Sequence, residues 1–141
     1  MDQIGAKIYS VEEANRLIPW LEESLEALAG TARELSVLSR ELTVLGAIAM
    51  TGATSRSADL GELAEKRARE EALLGRFRAR LAEVASRGCI LRDLEIGLVD
   101  FYTLSRDRIV CLCWRRGEPE IGHWHPVDQG FSGRRPLSEL L

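Results

Sequence analysis

Lysine is almost missing from this chain. Only Lys7 and Lys66 occur, and arginine supplies the other basic groups, a bias that a GC-rich genome explains more simply than a function does. Positive charge in excess is missing too. The net charge is −3, whereas unspecific binding to nucleic acid needs a basic field. Cysteine is scarce: Cys89, Cys111 and Cys113 are three, so they cannot all pair within one chain, and reduced thiols are the simpler expectation. No apolar run approaches the roughly 20 residues a membrane helix needs. The opening MDQIGAKIYS has no basic start followed by an apolar stretch. The expectation is a cytoplasmic protein without a membrane span. Aromatic residues are few at 6% and histidines number two. No G-x-S-x-G, P-loop or H-E-x-x-H is present, which removes the commonest local signatures of hydrolases, nucleotide binders and zinc proteases.

What is present is a globular composition, 45% hydrophobic and 29% charged over 141 residues. That is one domain's worth of chain with enough apolar mass for a core. Its first part reads as helix. Ser10-Val11-Glu12-Glu13 is a capping box, with Tyr9 placed to pack over the first turn. Leu17, Leu21, Leu25, Leu28, Ala32, Leu35, Leu38, Leu42, Leu45 and Ala49 then step by three or four, which stacks them on one face. The first helix is expected over 10–49, with a kink near Pro19, whose ring removes a donor and crowds the preceding turn. MTGATSRS, residues 50–57, reads as a turn. A second helix is expected over 57–87, ended by Gly88. Its inner stripe is expected at Leu60, Ala64, Ala68, Leu74, Phe77, Leu81 and Val84, with Glu62–Lys66, Glu65–Arg69 and Glu83–Arg87 as outward pairs.

After Gly88 the pattern changes to β-branched, aromatic and glycine residues. LVDFYTL (98–104) and RIVCLCW (108–114) flank a turn at Ser105-Arg106-Asp107, and IGHWHPV (121–127) is a third strand candidate. The expected fold class is α+β: a long antiparallel, coiled-coil-like helical hairpin followed by a small antiparallel sheet of about three strands over 89–141, packed on the base of the helices. The whole is expected to be a single domain.

Three segments, YSVEEANRLIPWLEE, GLVDFY and CWRRGEPEIGHWHPVDQGFSGRRPL, resemble the signature stretches of the prokaryotic domain-of-unknown-function family 2203. The similarity covers essentially the whole chain. The matching residues of the closing motif are Asp100, Trp114, Gly117, Glu118, Trp124, His125, Asp128, Gly130, Phe131, Arg134 and Pro136. The resemblance implies no activity, since the family carries none to transfer. His123 falls where the family fixes no residue type.

Two candidate sites lie in this region. Residues two apart on a strand share a face. If the register sets Cys113 opposite His123 and Cys111 opposite His125, the four form a Cys2His2 patch with ligand types suited to zinc. Another register dissolves the patch, and C-x-C on a flat strand spreads its sulfurs, so zinc is not favoured. The second candidate is an anion or small-ligand pocket built from Asp100, Trp114, Arg115, Glu118, Trp124, His125, Asp128, Arg134 and Arg135. Arginine forks match carboxylates and phosphates, and a tryptophan can stack on a planar group. The plainer alternative, and the preferred one, is that Arg134 or Arg115 pairs with Asp100, Glu118 or Asp128 to pin the loop. No catalytic residue is assigned, and an enzyme is the least favoured reading. Arg69, Arg76, Arg80 and Arg87 share a helix face, but interspersed glutamates argue for a solvated surface rather than RNA. The leading expectation is a non-enzymatic interaction module, a homodimer through its helices, with capture of a protein partner as a variant.

Overall fold

The computed structural model describes residues 7–50 and 57–140. Helix α1 spans Val11–Arg16, α2 Ile18–Met50 and α3 Ser57–Ser86. Strands β1 Cys89–Asp93, β2 Leu98–Ser105, β3 Arg108–Arg115, β4 His123–Pro126 and β5 Arg135–Pro136 follow. The fold is α+β: long helices, then one antiparallel sheet in the order β1-β2-β3-β4-β5. The sheet thus has five strands where the sequence suggested about three. The two additions are its edges, and β5 is only two residues long, too short to leave an alternating pattern. Contacts divide the chain into two compact units, Met1–Glu26 with Leu81–Leu141, and Ala27–Arg80. No helix among the described residues is long and apolar enough to cross a membrane. The expected turn at 50–57 falls, for 51–56, outside the described residues.

In the first unit the Ser10 hydroxyl accepts from the Glu13 amide at 3.1 Å and the Ser10 amide donates to Glu13 Oε1 at 2.9 Å. This reciprocal cap starts α1. The helix breaks at Leu17, and α2 resumes at Ile18, one residue ahead of Pro19. Proline has no amide to give to the turn before it. Tyr9 lies on the sheet rather than only over its own helix: its ring meets Phe101 edge-on, 5.3 Å between centroids, and its amide donates to the Tyr102 carbonyl at 2.8 Å. Its hydroxyl donates to the carbonyl of Arg87. The turn after α3 uses Gly88 at φ +81°, where an added Cβ would sit 2.7 Å from Lys7 Cβ, so only glycine fits.

The sheet faces differ in chemistry. Val99, Phe101, Val110, Leu112, Trp114 and Trp124 lie on one side, all buried. Asp100, Cys111, Cys113 and His125 lie on the other, and they too are buried. Ile121 donates its amide to Asn15 Oδ1 at 2.7 Å, and Gly117 donates to Glu22 Oε2 at 3.1 Å. Arg116 pairs with Glu22 at 3.5 Å and with Glu26. These bonds tie the loop before β4 to α1 and the start of α2.

The second unit is two antiparallel helical stretches. Lys66 reaches Glu41 at 3.0 Å and Arg69 reaches Glu34 at 2.9 Å: three residues forward on α3 correspond to seven back on α2, the mark of opposite directions. Leu28, Leu38 and Leu73 are its buried leucines. The stripe expected on α3 is corrected in its first half. Leu60, Ala64 and Ala68 are exposed, while Leu73 is buried and Leu63 half-buried. Steps of three and four fit Leu63, Lys66, Glu70, Leu73 and Phe77 as well as the alanine series. Counting only apolar residues hid the phase, because the aliphatic stem of Lys66 fills an inward position. Lys66 also sits 3.8 Å from Glu62, so the expected pair is present as the longer of its two contacts.

Candidate functional site

The polar sheet face is built by register. Cys113 lies opposite His123 and Cys111 opposite His125 across β3 and β4, and Asp100 lies opposite Cys113 across β2 and β3. All five side chains therefore point to one side. They do not all converge. Among the described residues, the metal-competent group whose donor atoms lie within 4.8 Å of one another is Asp100, Cys113 and His125. Cys111 is one strand step away. His123 turns toward Glu118, with Nδ1 3.9 Å from Glu118 Oε2 and no hydrogen bond of its own.

Asp100 is the hub. Its Oδ2 accepts from Arg92 Nε at 2.8 Å and lies 2.9 Å from His125 Nε2. Arg92 carries no signal in the sequence. It sits where the β1–β2 register shifts between Leu91 and Asp93, and such a bulge re-aims a side chain without any residue-type marker. The other nitrogen of His125, Nδ1, lies 2.8 Å from the Pro126 carbonyl. A carbonyl only accepts, so Nδ1 carries the proton and donates. The carboxylate oxygen at Nε2 is an acceptor as well. Two acceptors cannot face each other unpaired, so either a proton on Nε2 or a bound cation lies between Nε2 and Asp100, at a place where both side chains are almost wholly buried.

The thiols are held neutral. Burial pushes Cys113 up to about 11, against lowering by a hydrogen bond from Arg134, and a hydrogen bond to Asp100 pushes the same way as burial. Burial also pushes Cys89 to about 11 and raises Cys111, the latter helped by the Asp100 charge and opposed by Arg92. All three cysteines are free and buried. These are poor nucleophiles, because the thiolate is the reactive form.

The arginines meet protein groups. Arg134 pairs with Glu118 and donates to the Cys113 carbonyl at 3.3 Å. Glu118 also accepts from the Arg115 amide at 2.7 Å. Burial would raise the Glu118 carboxyl, but the Arg134 and Arg115 hydrogen bonds outweigh it and hold it below its ordinary range. Trp114 is fully buried and donates Nε1 to the Glu118 carbonyl at 2.9 Å, so its ring offers no free face. Trp124 is buried, and the guanidinium carbons of Arg108 and Arg135 lie 5.7 and 5.4 Å from its ring centroid. Arg115 and Asp128 are exposed. Of the nine residues considered for an anion pocket, the structure gathers Asp100 with His125, Glu118 with Arg134 and Trp114, and Trp124 with Arg135.

A family model described as an uncharacterized conserved protein, the domain-of-unknown-function family 2203, matches residues 7–137. The chain belongs to this family. The match includes β1 to β5 and the loops between them, hence Asp100, Cys113, His125, Glu118 and Arg134. No curated protein and no solved structure matches the chain. Membership in family 2203 carries no activity with it, so function rests on the geometry.

Proposed function

We propose that this family 2203 protein is a non-enzymatic interaction module that pairs with a second copy of itself through the helices of residues 27–80. One observation carries the reading: the two flanks of that helix pair differ. One flank is closed by the Glu34–Arg69 and Glu41–Lys66 bridges. At about 100° per residue, the opposite flank receives Leu35 and Leu42 from α2 and Leu63 and Leu74 from α3, all half-buried.

A second copy fits that flank better than an unrelated partner. A twofold contact sets a surface against itself, and a leucine surface is self-complementary, with Glu70 and Arg67 beside Leu63 of opposite sign and able to pair across the twofold. Four helices then share a core, the arrangement that two amphipathic helices with so few buried side chains call for. Acid–base or thiol chemistry gains no support from the polar sheet face, because its thiols are neutral and its carboxylate and imidazole are enclosed.

Sedimentation equilibrium from 1 to 100 μM tests the reading. The expected mass is that of two chains, and Leu63→Glu weakens association at least tenfold while helicity is kept. Val37→Glu, an exposed position beside the bridged flank, leaves association unchanged. A one-chain mass throughout, or equal effects of the two variants, overturns the proposal.

A further inference from the structure

Asp100, Cys113 and His125 come from three adjacent strands, β2, β3 and β4, and all are at most 1% exposed. One carboxylate oxygen, one thiol sulfur and one imidazole nitrogen lie within 4.8 Å of one another. Apolar cores rarely hold three such groups unless something is gained by it, since each costs free energy to desolvate. The orientation of His125 adds an independent observation. Its Nδ1 is committed to the Pro126 carbonyl, which leaves Nε2 as the nitrogen that faces Asp100. Fixing one ring nitrogen on a backbone carbonyl while the other faces a ligand position is how metal-binding histidines are oriented.

We infer that Asp100, Cys113 and His125 form a buried binding site for a divalent transition ion of the zinc class. The ion takes the place of the proton between His125 Nε2 and Asp100, which leaves to solvent, and Cys113 Sγ is the third donor. Zinc bonds of about 2.0–2.3 Å place tetrahedral donors roughly 3.3–3.6 Å apart. The present 2.9 Å between Nε2 and Oδ2 has to widen by a few tenths of an ångström, and the sulfur to close by about 1 Å at most. Cys113 enters as thiolate with its proton released to solvent. Thiolate and carboxylate together balance a divalent charge, and the Arg92 guanidinium on Asp100 leaves one positive charge over. A sulfur and an imidazole select zinc or cobalt over magnesium and calcium, which take oxygen ligands.

The ligand set differs from the Cys2His2 patch that strand spacing suggests. Asp100 replaces His123, which like Cys111 is outside the convergent group. Arg92 Nε stays on Asp100 Oδ2, the oxygen that also faces His125.

Cobalt(II) chloride added to the full-length reduced protein is the probe. Thiolate-bound cobalt absorbs in the near ultraviolet and, when tetrahedral, gives visible bands. The expected result is both signals saturating at one ion per chain, and zinc displacing cobalt. Cys113→Ser, which keeps size and fold, abolishes the near-ultraviolet band. Asp100→Asn weakens binding at least tenfold. Cys89→Ser, which alters a buried thiol on the other sheet face, leaves the spectrum unchanged. Circular dichroism of each variant confirms that it is folded. No stoichiometric thiolate band in the folded wild type, a band that survives Cys113→Ser, or one equally lost in Cys89→Ser, overturns the inference. Should Asp100→Asn fail to fold, the contrast between Cys113→Ser and Cys89→Ser decides.

Discussion

Glu118 shows how one residue organises the closing motif. Its carboxylate accepts from the Arg115 amide and pairs with Arg134, and its carbonyl accepts from Trp114. The acid is held below its ordinary range because the arginine and the amide favour the charged form over burial. The sign of the pH effect follows. A carboxyl whose folded value is depressed contributes stability above its unfolded value and loses that contribution as pH falls through the folded one. Stability measured by urea titration is therefore expected to fall with acid below the ordinary glutamate range, and Glu118→Gln to flatten part of that slope. A slope unchanged by Glu118→Gln would mean the Arg134 pair adds nothing. At this scale the sequence was partly legible. Arginine-to-acid ties were the preferred reading of the motif, and Arg134 with Glu118 is such a tie. Arg92 was invisible, since its meeting with Asp100 depends on a register shift that no residue type announces.

Among the elements, the helices were the most readable, and the break and the stripe show the limits. A proline and a capping box mark where α1 begins and where a helix must be interrupted, because both act on the nearest turn. The stripe of α3 depends instead on which of two overlapping apolar series meets the neighbouring helix. Two truncations separate them. Leu73→Ala is expected to destabilise by about 2–5 kcal/mol, the cost of a cavity at a buried leucine. Leu60→Ala, at a position 53% exposed, should change stability by well under 1 kcal/mol on the same reasoning. Thermal denaturation of the two variants is the measurement; equal losses would contradict the observed phase. The strands behaved similarly. β2 and β3 announce themselves by β-branched and aromatic runs around a short turn, whereas β1 is mixed with arginine and aspartate and β5 is two residues long.

For the molecule as a whole, self-association has a thermodynamic signature that differs from any single contact. A folded chain stabilised by its own copy melts at a temperature that rises with concentration. Differential scanning calorimetry between about 5 and 500 μM is expected to show that rise in the wild type and to lose it in Leu63→Glu. A melting temperature independent of concentration in both would remove the second copy from the account. The metal inference makes no such demand, since an ion bound within one chain raises the melting temperature with ion concentration instead. The two proposals can therefore fail separately.

Local chemistry allowed the sequence by itself to determine the α+β class, the capped start of α1, the leucine stripe of α2 and the family. Each depends on neighbours a few residues apart, where periodicity, caps and turn residues act directly. Only the tertiary structure decided the strand register, and with it which of the motif's polar residues share a face and which meet. Cys113 was readable as a candidate ligand and Asp100 as a candidate site residue. Their convergence on His125 required three strands to be aligned, and a shift of one residue along any of them would have turned its side chains to the opposite side.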